Sequence, residues 1–313
     1  MSGNANYDSL LSTTLAKWAS KKFNDNIFKS LFLFFWLTSN GRQKPASGGT
    51  KILEPLMYGK NTTVQSMSGY DTIDTSPQEG FTMAEFNWKM LAGSVTISEM
   101  EELKNSGDEA MINLLESKIM QLEMSLQDEM NTEAFADGTG NGGKNLLGLE
   151  AIVSTSGTLA GIDRATETWW RANVEATVEA LSIAKMTNMY NTCSNGAKGQ
   201  HPDFSITTQA LFEKYEGLLQ QNMRFTDNKV GDAGFENLKF KGSTISFDEA
   251  TPSGVMYFLN SKFLALRYHP KANFRTTPFV KPPNQLAKVA QVLWMGNLTV
   301  SNCRRLGKLT NKS

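Results

Sequence analysis

The run Gly138-Thr139-Gly140-Asn141-Gly142-Gly143-Lys144 has the G-x-x-x-x-G-K spacing of a phosphate-binding loop, in which backbone amides cradle phosphates and the lysine reaches them. That chemistry needs more than the spacing. Asn145 stands where a Ser or Thr would hold magnesium, the preceding segment has a helical and not a strand pattern, and Leu146 to Val153 reads as a strand where the motif needs a helix. A glycine-rich helix stop accounts for the run, which leaves a nucleotide-binding enzyme as a remote alternative. The two histidines, His201 beside Pro202 and His269 beside Pro270, lack the partner pattern of nucleophilic or acid-base chemistry. Eleven carboxylates lie between Glu99 and Asp137, against Lys104 and Lys118. A di-metal site on a helix calls for Glu-x-x-His, and this stretch has no histidine. Cys193 and Cys303 are isolated, with neither metal-type spacing nor a disulfide framework. The sequence therefore assigns no catalytic residue, cofactor or metal ligand.

The acidic stretch is better read as architecture. Ser98 with Glu101, and Ser106 with Glu109, each have the S-x-x-E spacing of a capping box, so the chain signals two helix starts. Asn105-Ser106-Gly107 between them is poor helix-forming sequence and is the expected hinge. Beyond it Met111, Leu115, Ile119, Leu122, Leu126 and Met130 lay an apolar stripe along a helix expected from Asp108 to about Ala136, roughly 40 Å long at ~1.5 Å per residue. Before it, Thr50 to Tyr58 and Phe81 to Ile97 read as strands. Ala84, Phe86, Trp88, Met90 and Ala92 alternate at period two, and a bulge at Gly93 shifts the phase to Val95 and Ile97. Gly59 to Gly80 between the strands is polar, so this ribbon cannot build its own core; it either folds back over the body or projects onto a neighbour, and projection is expected because the ribbon feeds directly into the long helix.

Further along, helices are expected over Val174–Tyr190 and Gln209–Gln221. Strands are expected over Phe204–Thr207, Leu238–Phe247 with a turn at Gly242, Val255–Leu259, Phe263–Tyr268 and Gln285–Ser301, the last interrupted at Gly296. Strands and helices intersperse without βαβ alternation, so the fold class is α+β. The length and a hydrophobic content of 40% suffice for a sizeable core. Lys and Arg balance Asp and Glu at 31 each, yet after Glu249 there are ten basic residues and no acid. That segregation suggests contacts between surfaces of opposite sign, within one subunit or between copies, and the overall neutrality argues against a dedicated DNA binder. Leu31 to Leu37 is apolar but too short to span a bilayer, and is expected to be a buried or partner-covered helix. The polar first ~25 residues, with Leu15 and Trp18 among Lys17, Lys21 and Lys22, read as an arm that packs on something outside itself.

In this order, several segments resemble the major capsid protein of tailed bacteriophages, with the Hong Kong 97-type fold. They are Gly48-Gly49-Thr50-Lys51, Tyr70-Asp71, Phe86-Asn87-Trp88, the long kinked helix, Asp137-Gly138-Thr139-Gly140, Asn145-Leu146-Leu147-Gly148-Leu149, Gly161-Ile162-Asp163-Arg164 with Trp170-Arg171, and Asn297-Leu298-Thr299-Val300-Ser301-Asn302. The resemblance implies an N-terminal arm over residues 1–47, an extended loop over 48–97 and a spine helix with its adjoining loop over 98–145. It further implies an axial domain over 146–260 and a C-terminal return to a peripheral domain over 261–313. It implies a non-catalytic subunit that assembles, as hexamers and pentamers, into an icosahedral shell around double-stranded DNA, made in the host bacterial cytoplasm and carried in the virion. An encapsulin-like nanocompartment shell is the alternative. Expected partners are other copies of the chain, a separate scaffolding protein, a portal and packaged DNA, with no membrane. Lys60 sits in the extended loop, but no catalytic glutamate or acceptor for a lysine crosslink is identifiable, so assembly is expected to be non-covalent. The residues expected at subunit interfaces are Trp18, Phe34, Lys60, Tyr70, Phe86, Trp88, Trp169 and Trp170.

Overall fold

The computed structural model describes residues 31–104, 108–194, 200–219, 238–283 and 285–313. The first 30 residues, with Trp18, and the hinge expected at Asn105, Ser106 and Gly107 lie outside them. Helix α1 (Phe32–Ser39) buries Phe32, Leu33, Phe34, Trp36 and Leu37, with Trp36 stacked on Phe204 at 4.2 Å. Such all-round apolarity in eight residues marks a helix enclosed by its own protein. Strand β1 (Gln43–Pro45) comes next and pairs in parallel with residues 266–268.

Strands β2 (Lys51–Met57) and β3 (Phe81–Asn87) form the expected ribbon, antiparallel from Lys51 opposite Asn87 to Met57 opposite Phe81. The single strand expected over Phe81–Ile97 is two strands. Trp88 separates β3 from β4 (Lys89–Ser98), which leaves the ribbon and joins a different sheet. The phase shift therefore falls at Trp88 and not at Gly93, which pairs in unbroken register with Val292. Met90 points outward, while Val95 and Ile97 are buried.

Helix α2 (Glu99–Lys104) starts with the capping box read from sequence. Ser98 N–H donates to the Glu101 carboxylate at 3.0 Å, and Glu101 N–H donates to Ser98 Oγ at 3.2 Å. Helix α3 (Asp108–Phe135) then runs for 28 residues, about 42 Å at ~1.5 Å per residue. Ile119, Leu126, Met130, Ala134 and Phe135 form its buried face. Lys118 Nζ reaches back to Thr96 O at 2.9 Å and to Glu101 at 2.8 Å, and so ties α3 to both α2 and β4.

The glycine run after α3 is an exposed turn with left-handed residues at Gly138, Asn141, Gly142 and Gly143. The strand expected over Leu146–Val153 is absent, and in its place α4 (Leu149–Ile152) makes a single helical turn. The chain is pressed against the end of α3 here, and a Cβ at Gly148 would lie 2.2 Å from Ala136 O and 2.4 Å from Glu133 O. Only glycine fits so close to the helix end, and residues 146–153 find no described strand to pair with. Glu133, itself buried, accepts a 2.7 Å bond from Leu146 N–H. Burial raises the Glu133 pKa above its usual value, and the Leu146 bond opposes that rise.

A two-residue hairpin, β5 (Thr158–Leu159) with β6 (Ile162–Asp163), leads to β7 (Asn173–Glu175). The helix expected over Val174–Tyr190 begins only at α5 (Ile183–Cys193), capped by Ser182, because residues 173–175 are captured by a strand near the C-terminus. Then come β8 (Phe204–Thr207), α6 (Gln209–Leu219), β9 (Leu238–Phe240) and β10 (Ser243–Phe247), the last two turning at Gly242 as expected. Strands β11 (Met256–Leu259), β12 (Leu264–Tyr268), β13 (Arg275–Thr276), β14 (Ala287–Val300) and β15 (Gly307–Leu309) complete the chain. Strand β14 passes through Gly296 without interruption. A Cβ there would stand 2.4 Å from Arg267 O and 2.7 Å from the Trp294 ring, so glycine admits the neighbouring strand.

Two sheets result, and the class is α+β as expected. One has five strands, with β14 paired to β4, β12 and β13, and β1 beyond β12. The other has six, ordered β7-β15-β11-β8-β10-β9. Residues 307–309 thus complete the sheet built from residues 173–259, whereas β12 to β14 belong to the five-stranded one. The C-terminal strand is locked by Lys312, whose buried ammonium meets Glu179 at 3.0 Å and Thr177 O at 2.7 Å.

Candidate subunit interface

The ribbon is apolar on both faces, and among the described residues only one face is covered. Ile52, Glu54, Leu56, Ala84 and Phe86 point inward and are buried, and Phe86 is only 2% exposed. Across the same strands Leu53, Met57, Phe81 and Met83 point outward, Met57 at 75% and Phe81 at 78% exposure. Both patterns arise from the pleat, which sends successive side chains to opposite faces. The inner face is fastened by polar bonds as well as packing. Glu54 Oε1 accepts from Arg267 Nε at 2.6 Å and from Thr299 Oγ1 at 3.1 Å, in a nearly buried site. Glu85 N–H donates to Ala160 O at 3.0 Å, and Tyr58 stacks on Trp169 at 5.2 Å. The expectation of a freely projecting ribbon is therefore corrected. The paired part lies on the body, and the loop beyond it, from Val64 to Glu79, is exposed throughout.

Asn297 joins three of the segments singled out in the sequence. Its Oδ1 accepts from Leu147 N–H at 3.0 Å, and its Nδ2 donates to Asn87 O at 2.9 Å. The end of the ribbon, the turn after α3 and the long strand β14 thus meet at one buried amide. Trp88 lies beside this junction, half-buried, its indole N–H donating to Gly49 O at 2.9 Å and its ring edge-on to His269.

The residues expected at interfaces divide accordingly. Phe34, Phe86 and Trp170 are buried within the chain and have no side-chain surface left for a second subunit. Hydrophobic side chains this large are claimed by the nearest core, which the sequence does not locate. Trp88 makes its contacts within the chain. Lys60 and Tyr70 are exposed on the loop, Tyr70 completely so at 101%. Of the tryptophan pair, Trp170 is a plug, its N–H donating to Leu159 O at 3.1 Å, and Trp169 is half-exposed. Arg164 beside them is a buried structural cation, donating to Ala151 O at 2.8 Å, Ile152 O at 2.6 Å and Trp170 O at 3.3 Å. It neutralises the carbonyl end of α4.

Sequence reasoning missed the outer face of the ribbon, although a signal was present. Lys-Ile-Leu-Glu-Pro-Leu-Met carries large apolar residues on both parities, the pattern of a strand covered on both sides. Among the described residues, no three His, Cys, Asp or Glu side chains come together to hold a metal. His201 stacks on Tyr190, and His269 Nδ1 accepts from Lys271 N–H, as local structural groups do. No helix among the described residues is long and apolar enough to cross a membrane.

The chain matches no protein-family model and no curated protein. Solved structures resemble it over most of its length. The cyanophage A-1(L) capsid asymmetric unit superimposes with a TM-score of 0.70 at 17% identity, covering 87% of this chain and 90% of that one. A structure of Mycobacterium phage Adephagia gives 0.56 at 12% identity, covering 88% and 89%. The holo-SrpI encapsulin complex from Synechococcus elongatus gives 0.57 at 11% identity, covering 89% and 87%. With its long helix, its two mixed sheets and a ribbon fastened by one face, the chain has the fold of phage capsid subunits.

Proposed function

We propose that the protein is a major capsid protein, a structural and non-catalytic subunit that self-assembles into an icosahedral shell around double-stranded DNA. The observation that carries this reading is the second, uncovered apolar face of the ribbon on a chain with the phage-capsid fold. A contiguous exposed apolar face marks an interaction surface, and a neighbouring copy supplies cover for it in every subunit of a closed shell. Each such contact is weak alone and strong when many close together. In this reading the paired ribbon and its exposed tip, residues 51–87, act as the extended loop and the residues before Leu31 as an arm, while residues 32–45 and 89–98 belong to the body, and hexamers and pentamers are the units of the shell. A separate scaffolding protein, a portal and packaged DNA are the partners of this reading, with assembly in the host cytoplasm and the virion as the final location. The encapsulin alternative is less favoured because that likeness is weaker, with a TM-score of 0.57 against 0.70.

Negative-stain electron microscopy of the purified protein tests the proposal. Closed angular shells are expected across a concentration series, alone or with phage lysate supplying a scaffold. Monomers under every condition refute it, and enzyme-filled shells in place of DNA-filled heads favour the encapsulin reading.

A further inference from the structure

Beside the ribbon lies a groove of about 170 Å³, lined among others by Met57, Tyr58, Trp169, Ser301, Arg304 and Arg305. Small-molecule pockets run to roughly 300–1,000 Å³, so this one suits a single inserted side chain. Its lining combines aromatic rings, with Tyr58 stacked on Trp169, and two adjacent arginines. No ion pair joins either arginine to a carboxylate among the described residues. Arg305 donates from Nη1 to Ser194 O at 3.0 Å, while its Nε is buried without a partner. Burial and then the neighbouring Arg304 pull its pKa below the usual arginine value. Such a pair gains from an incoming anion, and the planar fork gains most from a carboxylate.

The exposed loop of the ribbon carries the matching group. Tyr70 and Asp71 sit at a turn closed by Asp71 N–H to Ser68 O at 3.1 Å and by Ser68 N–H to the Asp71 carboxylate at 2.7 Å. The turn presents a fully exposed aromatic ring next to an acid in a fixed geometry, which lowers the entropy lost on docking. The loop is acidic overall, with Asp71, Asp74 and Glu79 against Lys60. Tyr70 stands eleven residues past Gly59, a reach of up to ~36 Å at ~3.3 Å per residue.

We propose that Tyr70 and Asp71 of one copy seat in the groove formed by Trp169, Arg304 and Arg305 of a second copy. This rests on the shell reading and names the contact that orders it. Because knob and groove are different patches, the contact can repeat head-to-tail around a ring of copies, whereas a reciprocal pair would stop at covalent dimers and give no ladder.

A chain carrying both Gly69→Cys and Ser301→Cys tests it. Gly69 has open space around it, Ser301 is exposed, and the native Cys193 and Cys303 are buried. Mild oxidation of assembled protein is expected to give a ladder of covalent oligomers on a denaturing gel, with no ladder from either single variant. In parallel, Arg304→Glu is expected to raise the protein concentration needed for assembly about tenfold, and Asp71→Arg in the same chain to restore it. Circular dichroism of the dissociated subunit controls for folding. A fast-migrating monomer from the double-cysteine chain means that the loop fills its own groove, and overturns the proposal. Shells that form without crosslinks overturn the proposal and leave the shell reading intact. Neither shells nor crosslinks from the otherwise wild-type chain overturns both.

Discussion

Phe81 and Phe86 lie on one strand, five residues apart, and the pleat puts their rings on opposite faces of the ribbon. Replacing each by alanine removes the same atoms, so any difference reports on what covers each face. Phe86 is 2% exposed in the core beside Ile52 and Ala84, and a buried Phe→Ala change costs about 3–5 kcal/mol. That is a large part of a subunit stability of about 5–15 kcal/mol. Phe81 is exposed, so Phe81→Ala should move subunit stability by no more than about 0.5 kcal/mol. In a shell the balance reverses. A phenylalanine that loses ~150 Å² to a neighbour contributes roughly 3 kcal/mol after rounding down for imperfect fit, at ~25 cal/mol per Å². The loss is then on the order of 100-fold in the concentration that supports assembly. Urea titration of dissociated subunits, monitored by tryptophan fluorescence, reads the first quantity, and light scattering against concentration reads the second. Phe86→Ala should shift the urea midpoint strongly, and Phe81→Ala should shift only assembly. Equal urea shifts, or unchanged assembly in Phe81→Ala, would refute the argument that the outer face is an interface.

Three further outcomes are expected. Gly148→Ala forces a methyl group against the Ala136 and Glu133 carbonyls, backbone atoms with nowhere to go, and should cost roughly 3 kcal/mol of subunit stability by urea titration. Gly142→Ala, with open space around it, is the milder control. The Lys118 ammonium, and after it the Ser98 amide, holds the Glu101 carboxyl down at about 2, so its contribution is complete above the unfolded pKa near 4.5 and fades as pH falls toward 2. The urea midpoints of wild type and Glu101→Gln should therefore differ at pH 7 and converge between pH 4.5 and 2, and a gap independent of pH would contradict the pairing. Burial pushes the Cys193 thiol up to about 12 and the Cys303 thiol to about 11. Both should resist thiol reagents at about pH 8 until denaturant is added, and prompt labelling of the native protein would count against the described core.

Local chemistry alone determined much of this chain, and that part was legible in the sequence. The capping box at Ser98 and Glu101, the long helix from Asp108, the hairpin at Gly242 and the period-two alternation within β3 depend on residues a few positions apart, and each is found where the pattern puts it. The G-x-x-x-x-G-K run likewise carried its own contradictions, at Asn145 and in the helix before it. The tertiary structure decided everything that turns on long-range pairing. Residues 173–175 read as part of a helix and became a strand because β15, more than 130 residues away, offered its backbone. The phase change at Trp88 looked like a bulge because a sequence does not reveal that two adjacent strands belong to different sheets. Phe34, Phe86 and Trp170 looked like interface anchors because apolar size alone cannot say whether the covering surface belongs to the same chain. Tyr70 and the outer face of the ribbon remain uncovered for the opposite reason: within one subunit, no described element packs over them.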